Sequence, residues 1–437
     1  MSSPVWRPIV IVALIAVGFG LTCFVFYPGV ETFDARYVYL AIKGRAGDWQ
    51  SPVMTALWAA IDPVAPGPAS MFLVIAAAYW GGFGILALAI ARRSFWPAVV
   101  LLLLALSPPA FVFSGIIWRD VLLAVSWLLA AALAFSVAHL PPRLRWPALV
   151  PAFGLVCFGV LLRPNALVAA PLLLFYALCP AHFRFKRTAL LYVPAMIGFY
   201  VLIQVVYYGI LDAKRENPLH SLLVYDLGGI THFTKENKFP VEWTPEQTAL
   251  LTERCYKPTY WDIYWIHEPC KFVMARLEGQ EKIFGTRRLV DAWVSAVLHH
   301  PLAYLSHRAS FMWQLLARQN LTMWVVDVDN PSQFIHRDKP AFMALKGLHD
   351  WLAPTFLFRA GVWFSLCVAV GALGWPRRET PEGAFALYVC GSAVAYVASF
   401  FVFGVASDFR YAYWAVLAAM AGGVVLAARS RDTKVNR

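Results

Sequence analysis

Long apolar runs recur along the chain and alternate with short polar loops. A run of about 20 apolar residues is long enough to cross the hydrocarbon core of a bilayer as a helix. The pattern therefore predicts an all-α polytopic membrane protein with about ten transmembrane helices. We place these spans at residues 8–26, 69–90, 95–113, 121–139, 148–162, 166–178, 189–208, 351–375, 383–405 and 412–428.

Basic residues are concentrated in alternate short loops. If ten spans alternate, these loops share one side of the membrane, which the positive-inside rule assigns to the cytoplasm. Both termini are then cytoplasmic, and the remaining loops face outward. The basic loop residues are Arg7, Arg92, Arg93, Arg143, Arg145, Arg184, Lys186, Arg187, Arg377, Arg378 and, in the tail, Arg429, Arg431, Lys434 and Arg437.

Residues 209–350 interrupt the pattern, because they are polar and aromatic. We predict a mainly helical outer-face, periplasmic domain here, between an N-terminal membrane module (1–208, with the first outer loop at 28–64) and a C-terminal one (351–437). Segments 291–298 and 301–316 have mixed faces, which predicts helices lying on the bilayer surface. The alternative is that 302–316 enters the membrane as a hairpin, which His307 and Arg308 in its middle oppose.

Composition narrows the class of protein further. Of the 437 residues, 60% are hydrophobic and 14% are charged, and the mean hydropathy is +0.60. These values are typical of an integral membrane protein and exclude an ordinary soluble domain. The net charge of +12 indicates orientation toward anionic lipid rather than nucleic acid, because the arginines lie in short loops between apolar spans.

Two of the seven cysteines lie in the predicted outer domain. Cys255 and Cys270 are candidates for a disulfide, which an oxidising compartment would permit. The alternative is a pair of free thiols. The other five cysteines lie in or beside apolar runs and are expected to be packing residues.

Four charged clusters follow or precede apolar runs on the predicted outer face. Charge at a bilayer boundary is costly unless it is paired, hydrated or used, so the clusters predict a site built from several helix ends. They are Glu31/Asp34/Arg36, Trp118-Arg119-Asp120, Arg163-Pro164-Asn165 and Asp408-Phe409-Arg410-Tyr411.

These residue types suit transfer of a group from a lipid phosphate. A carboxylate at the dry membrane edge can have its pKa raised by desolvation and act as a general base. Arginines can hold the leaving phosphate through two parallel hydrogen bonds. The alternative is that the same arginines only pair with acids to close helix ends. The candidate arginines are Arg36, Arg119, Arg163, Arg308 and Arg410, and Asn165 and Tyr411 are candidates for binding sugar hydroxyls.

The first outer loop resembles that of the GT-C superfamily, multi-spanning glycosyltransferases that use polyprenyl-phosphate sugars. An acid after the first span, Arg36-Tyr37, and then Gly47-Asp48-Trp49-Gln50-Ser51-Pro52 are similar to the branch with protein O-mannosyltransferases and the lipid A aminoarabinose transferase. The string Trp118-Arg119-Asp120 resembles the second acidic site of such enzymes. Phe33 stands where the usual motif has a second acid before the Arg-Tyr pair, which makes Glu31 a second candidate base.

The resemblance implies an inverting glycosyltransferase of the bacterial inner membrane, with its active site facing the periplasm. Asp34 would be the general base, Asp120 would position the acceptor or support Asp34, and Glu31 and the arginines would bind substrate. The donor would be a polyprenyl-phosphate sugar and the acceptor a lipid or glycan of the cell envelope, such as lipopolysaccharide. No residue is assigned to a metal, although a divalent ion is left open. Two other functions stay open: a flippase or transporter of a lipid-linked glycan, and a glycan polymerase or ligase.

Overall fold

Helices form nearly all the regular structure in residues 6–318 and 339–428, the part of the chain that the computed structural model describes. Six helices in this part are long and apolar enough to cross a membrane. A seventh span is added if the bent pair Phe95–Ala105 and Pro108–Gly115 is counted as one. The chain is therefore a helical, multi-pass membrane protein. The helices that are singly long and apolar enough to cross a membrane are Trp6–Phe26, Pro68–Ala91, Arg119–Val137, Phe185–Ile210, Pro381–Phe403 and Phe409–Ala427.

The elements follow one another with short connections up to residue 204. They are α1 (Trp6–Phe26), β1 (Val30–Glu31), α2 (Phe33–Leu40), α3 (Pro52–Ile61), α4 (Pro68–Ala91), α5 (Phe95–Ala105), α6 (Pro108–Phe111), β2 (Ile116–Ile117), α7 (Arg119–Val137), α8 (Trp146–Leu162), α9 (Ala170–Leu178) and α10 (Phe185–Gln204).

The later elements include the segment predicted as an outer domain and the last spans. They are α11 (Leu219–Thr234), α12 (Pro245–Glu253), α13 (Phe272–Met274), α14 (Arg287–His299), α15 (Pro301–Ala317), α16 (Pro340–Leu352), α17 (Ala360–Gly374), α18 (Pro381–Phe385), α19 (Gly391–Phe403) and α20 (Tyr413–Ala427).

Several predicted spans are interrupted, and proline is the common reason. The span predicted at 95–113 is bent by 59° between α5 and α6, where Pro108 and Pro109 follow Ser107. The span predicted at 351–375 is broken between the end of α16 at Leu352 and the start of α17 at Ala360, and Pro354 in this break cannot donate an intrahelical hydrogen bond. At 166–178 a short 3₁₀ turn precedes α9. The described helices thus do not reproduce ten uninterrupted spans.

Helix α7 is the centre of the bundle and packs against α4, α8 and α20. The Trp127 ring on α7 meets the rings of Trp414, with centroids 5.7 Å apart, and Tyr396, at 6.0 Å. On α8, Gly159 allows the backbone to approach this indole, because a Cβ there would lie 2.1 Å from Trp127 Nε1. The core at this level therefore tolerates no larger residue at position 159 without movement of the helices.

The loops predicted to be cytoplasmic meet at one end of the bundle. Arg93 pairs with Glu382 at 2.7 Å. The Phe183 amide donates to the Arg378 carbonyl at 2.7 Å, and Arg377 donates to the Leu426 carbonyl at 3.0 Å. These contacts agree with a shared side for the basic loops in residues 6–428. The basic residues predicted in the tail, Arg429, Arg431, Lys434 and Arg437, lie outside the described residues.

Helix α11 is the buried helix of the segment between residues 209 and 350. Its Asp226 is fully buried, as are the two basic side chains of α15 that contact it: Arg308 Nη2 at 2.5 Å and His307 Nε2 at 3.1 Å. Trp293 on α14 donates to the other carboxylate oxygen at 2.8 Å. One buried carboxylate thus joins α11, α14 and α15, and α15 also packs on α17 and α19.

Candidate active site

A short strand pairing brings the first two charged clusters together. Strands β1 and β2 are parallel, with Val30 opposite Ile116 and Glu31 opposite Ile117. Parallel strands end at the same edge. The residues that follow each strand, the first turn of α2 and the first turn of α7, therefore begin side by side although about 85 residues separate them in sequence.

Asp34 is held in the first turn of α2. The Thr32 hydroxyl caps this helix by accepting from the Ala35 amide at 3.2 Å. Asp34 Oδ2 accepts from Arg410 Nη1 at 2.8 Å and Oδ1 accepts from Gln50 Nε2 at 3.2 Å, yet 37% of the side chain stays exposed. The carboxylate is therefore both oriented and reachable. It borders a narrow cleft whose polar lining includes Gln50, Trp118 and Arg119.

Arg410 is fixed from several directions at the start of the last span. Its Nε lies 3.4 Å from Asp408 Oδ2, and Asp408 also accepts from the Arg410 amide at 2.9 Å. The guanidinium carbon lies 4.7 Å from the centroid of the Trp118 ring, a cation–π contact. A planar donor that is held by two carboxylates and an aromatic ring presents its fork in one orientation.

The second and third clusters form a neighbouring, more buried pair. Arg163 Nε lies 2.9 Å from Asp120 Oδ1, and only 10% and 3% of the two side chains are exposed. The Arg163 guanidinium carbon also lies 4.9 Å from the Tyr411 ring centroid. Arg119 faces the first loop, where Nη1 donates to the Trp49 carbonyl at 3.1 Å. All four charged clusters predicted from the sequence thus contribute to one region.

The Gly47–Pro52 string of the first loop is held by the end of the α10 span. Asp48 accepts from the Tyr208 hydroxyl at 2.7 Å and from the Glu216 amide at 2.6 Å. The Ser51 hydroxyl donates to the Leu161 carbonyl at 2.9 Å and caps α3. Asp48 and Ser51 therefore position the loop, which in turn places Gln50 against Asp34.

Burial and charge have opposite effects on the carboxyl groups. Burial raises the pKa of Asp34, but the positive charges of Arg410, Arg119 and Arg163 outweigh burial and hold that pKa below its ordinary value. Burial raises the pKa of Asp408, and the charge of Arg410 offsets this only in part. The expectation that desolvation would raise the pKa of Asp34 is wrong here, because three arginines converge on it.

Sequence reasoning missed Asp262, Trp118 as a ring beneath Arg410, and Gln50 as a partner of Asp34. Burial raises the pKa of Asp262, and the negative charge of nearby Asp34 adds to this effect. The adjacent Trp261 amide donates to the Val405 carbonyl at 2.8 Å, which brings the segment at 209–350 to the site. The string Gly47–Pro52 already contained Gln50, but no sequence signal distinguished Asp262 from the surrounding aromatic residues.

Other predicted site residues lie at the margin of this region or away from it. Glu31 is buried and lies 3.6 Å from the partly exposed Arg36. Asn165 is half-buried in the turn after Arg163. Arg308 is fully buried on Asp226, and its Nη1 donates to the Gly404 carbonyl at 2.7 Å. The structure therefore places Arg308 in a structural ion pair and not beside Asp34.

Two further predictions concern the pairing of Cys255 with Cys270 and the binding of a metal ion. The structure joins Cys255 and Cys270 through a disulfide, with their Cα atoms 5.5 Å apart. In residues 6–318 and 339–428, no group of three or more His, Cys, Asp or Glu side chains is arranged to hold a metal ion.

The fold and the site together define a polytopic helical membrane protein with an acid-and-arginine cluster at one end of its bundle. No protein-family model and no curated protein matches the sequence. Among solved structures, the chain is similar to ArnT from Cupriavidus metallidurans in the apo state. The identity is 13% over 96% of this chain and 77% of that chain, with a TM-score of 0.33. So low a TM-score establishes neither a shared fold nor a shared activity.

Proposed function

We propose that the protein is an inverting glycosyltransferase that moves a sugar from a polyprenyl-phosphate donor to a lipid or glycan acceptor of the cell envelope. One observation carries the proposal: a partly exposed carboxylate, Asp34, forms an ion pair with Arg410 and lines a narrow cleft together with Arg119 at the end of the apolar bundle. The combination provides a base for an acceptor hydroxyl and cations for a departing phosphate. The resemblance of the first loop to GT-C enzymes supports the same chemistry.

The proposed reaction is a single displacement. The acceptor oxygen attacks the anomeric carbon as its proton passes to Asp34. The bond from that carbon to the phosphate oxygen breaks, and the polyprenyl phosphate leaves with the electron pair. Attack opposite to the leaving group inverts the anomeric centre. Arg410 and Arg119 would stabilise the negative charge that develops on the phosphate, while Asp120 and Arg163 keep the neighbouring helix ends in register.

The ion pair between Asp34 and Arg410 suggests how the donor prepares the base. A carboxylate with a depressed pKa is ionised at neutral pH but is a weak proton acceptor. When the donor phosphate takes up hydrogen bonds from Arg410, the attraction that lowers the pKa of Asp34 is weakened, and the phosphate adds a like charge. Both changes raise the proton affinity of Asp34. Base strength would then develop only in the donor complex.

The location follows from the same interpretation. The lipid-linked donor would lie in the outer leaflet of the bacterial inner membrane and present its phosphate at the bilayer boundary, where α2, α7 and the last span begin. Residues 209–350 would form a periplasmic domain over the site, between membrane modules at 1–208 and 351–437. A divalent ion is not needed for the proposed steps, and its participation remains open to a chelation test.

The decisive experiment replaces Asp34 with Asn and measures transfer of labelled sugar from the polyprenyl-phosphate donor by purified protein. General-base catalysis contributes typically 10²–10⁴-fold, so Asp34→Asn should lose roughly that factor in rate while it stays folded at the assay temperature, although it is less stable than the wild type because the ion pair with Arg410 is lost. The matched control is Asp212→Asn, which removes an exposed carboxylate paired with Arg45 and should leave transfer unchanged.

Two results would contradict the assignment. Near-wild-type turnover by Asp34→Asn would move the base elsewhere, and Glu31→Gln would then be the next variant. Movement of an intact lipid-linked glycan across the membrane of proteoliposomes, with no transfer to any acceptor, would identify the protein as a transporter and not as an enzyme.

A further inference from the structure

A basic cleft opens at the end of the bundle opposite to Asp34. It has a volume of about 490 Å³ and lies where α10 begins, against the end of α17. The span that starts at Phe185 continues for 26 residues, about 39 Å of helix, to the region where Tyr208 contacts the first loop. The cleft and the candidate active site are therefore on opposite sides of the apolar bundle.

Four cations line this cleft against one carboxylate. Arg184, Lys186 and Arg187 come from the start of α10, and Arg378 comes from the turn after α17. In the described part of the chain, no carboxylate lies within 4.0 Å of the first three, while Arg378 has Glu379 at 3.7 Å. This concentration of positive charge is thus largely uncompensated by the protein itself and favours a bound anion.

The surface beneath the cleft identifies the kind of anion. Helix α10 is the least buried of the candidate spans, with 11% of its apolar window covered. Leu190 on α10 is 76% exposed and Leu373 on α17 is 68% exposed. Trp375 lies at the mouth, with the Arg378 guanidinium carbon 5.4 Å from its ring centroid. Apolar surface therefore continues directly from the cations toward the middle of the span, which suits acyl chains below a phosphate.

We propose that this cleft binds the phosphate headgroup of an anionic phospholipid, with the acyl chains along the exposed faces of α10 and α17. The positive-inside arrangement of the loops puts the cleft in the leaflet that carries anionic lipid. Arginine is the side chain best matched to a phosphate, because its planar fork can make two hydrogen bonds. The proposal does not depend on the enzyme assignment.

The test measures lipid binding to the full-length protein in detergent by native mass spectrometry, with tetraoleoyl cardiolipin, dioleoyl phosphatidylglycerol and dioleoyl phosphatidylcholine as probes. The cleft variant is Arg184→Gln/Arg187→Gln. The matched control is Arg92→Gln/Arg143→Gln, which removes two exposed charges from loops at the same end. We expect the cleft variant to bind cardiolipin roughly 30-fold more weakly, with wild-type affinity in the control and little binding of phosphatidylcholine to any form.

Each other outcome overturns the proposal in a distinct way. Equal weakening in the cleft and control variants would mean general charge attraction without a site. Equal binding of phosphatidylcholine and phosphatidylglycerol would exclude headgroup recognition. Displacement of cardiolipin by inorganic phosphate would identify a free-anion site instead. Unchanged unfolding temperatures of the lipid-free variants show that any loss is a loss of binding.

Discussion

At Asp34, the same arginines that would bind a phosphate also determine the state of the carboxyl. Desolvation alone would raise the pKa of Asp34 and favour its protonated form, but the positive charges of the arginines lower the pKa instead. Because the folded-state pKa is depressed, the stability contributed by ionised Asp34 is present at neutral pH and is lost as the pH falls through that depressed value. Arg410 has the largest of these Coulombic effects, so the balance should change most when it is removed.

The pH profile of Arg410→Gln tests this balance. In the wild type, the acidic limb of kcat/KM due to Asp34 should lie below about pH 4, since the free-enzyme pKa is lower than the usual 3.9. In the variant, burial is opposed only by Arg119 and Arg163, so the limb should move to higher pH while the rate falls. The exposed Arg45→Gln serves as control. An unmoved acidic limb in Arg410→Gln would show that Asp34 does not limit the rate.

Asp120 and Arg163 should behave differently, as a buried pair. Removing one partner leaves an uncompensated charge, so Asp120→Ala should lower the free energy of unfolding by about 3–5 kcal/mol. The double variant Asp120→Ala/Arg163→Met should recover part of this loss, because no buried charge is left alone. Denaturant unfolding in detergent measures both. A double variant less stable than the single one would mean that Arg163 is stabilised by groups other than Asp120.

The sequence made the residues of the site predictable but not their partners. Asp34, Arg119, Asp120, Arg163 and Arg410 stand out because each is a charge beside a long apolar run, which is costly without a reason. That Arg410 would pair with Asp34 across 376 positions, and that Asp262 would approach from the segment at 209–350, depends on tertiary packing. Arg308 gave the same signal as the others, yet it is buried on Asp226, since a structural ion pair and a substrate ligand look alike in sequence.

At the scale of elements, the length of the apolar runs predicted where helices form better than it predicted where they are interrupted. The runs that became α1, α4, α7 and α20 have no interior proline in their helical bounds apart from the first turn. The run after residue 94 was predicted as one span, but Pro108-Pro109 bends it. Hydropathy averages over a window and so does not register the loss of one backbone donor.

The disulfide between Cys255 and Cys270 closes a 15-residue loop next to α12 and α13. On the chain-entropy model a loop of this length contributes about 3 kcal/mol. Cys255→Ser/Cys270→Ser should therefore lower the denaturant midpoint clearly, whereas Cys179→Ser, a half-buried free thiol, should not. Alkylatable thiols at both positions in unreduced protein from its native membrane would contradict the bond.

At the scale of the whole molecule, both proposals depend on the side of the membrane on which each loop lies. Reporter fusions after Arg93, Lys238 and Arg378 should place the first and third in the cytoplasm and the second outside, because the basic loops then obey the positive-inside rule. A cytoplasmic signal from the Lys238 fusion would put the Asp34 cluster on the inner face and remove the periplasmic interpretation.

The pairing of Asp34 with Arg410 also has a consequence for biosynthesis. At about 5–20 residues per second, a ribosome needs roughly 20–75 s to travel between the two codons. During that interval Asp34 has already been inserted at the membrane edge without its main counter-charge, and the final span has yet to be made. A nascent chain interrupted before codon 410 would therefore carry an incomplete site as well as a missing helix, which gives membrane quality control a local defect to recognise.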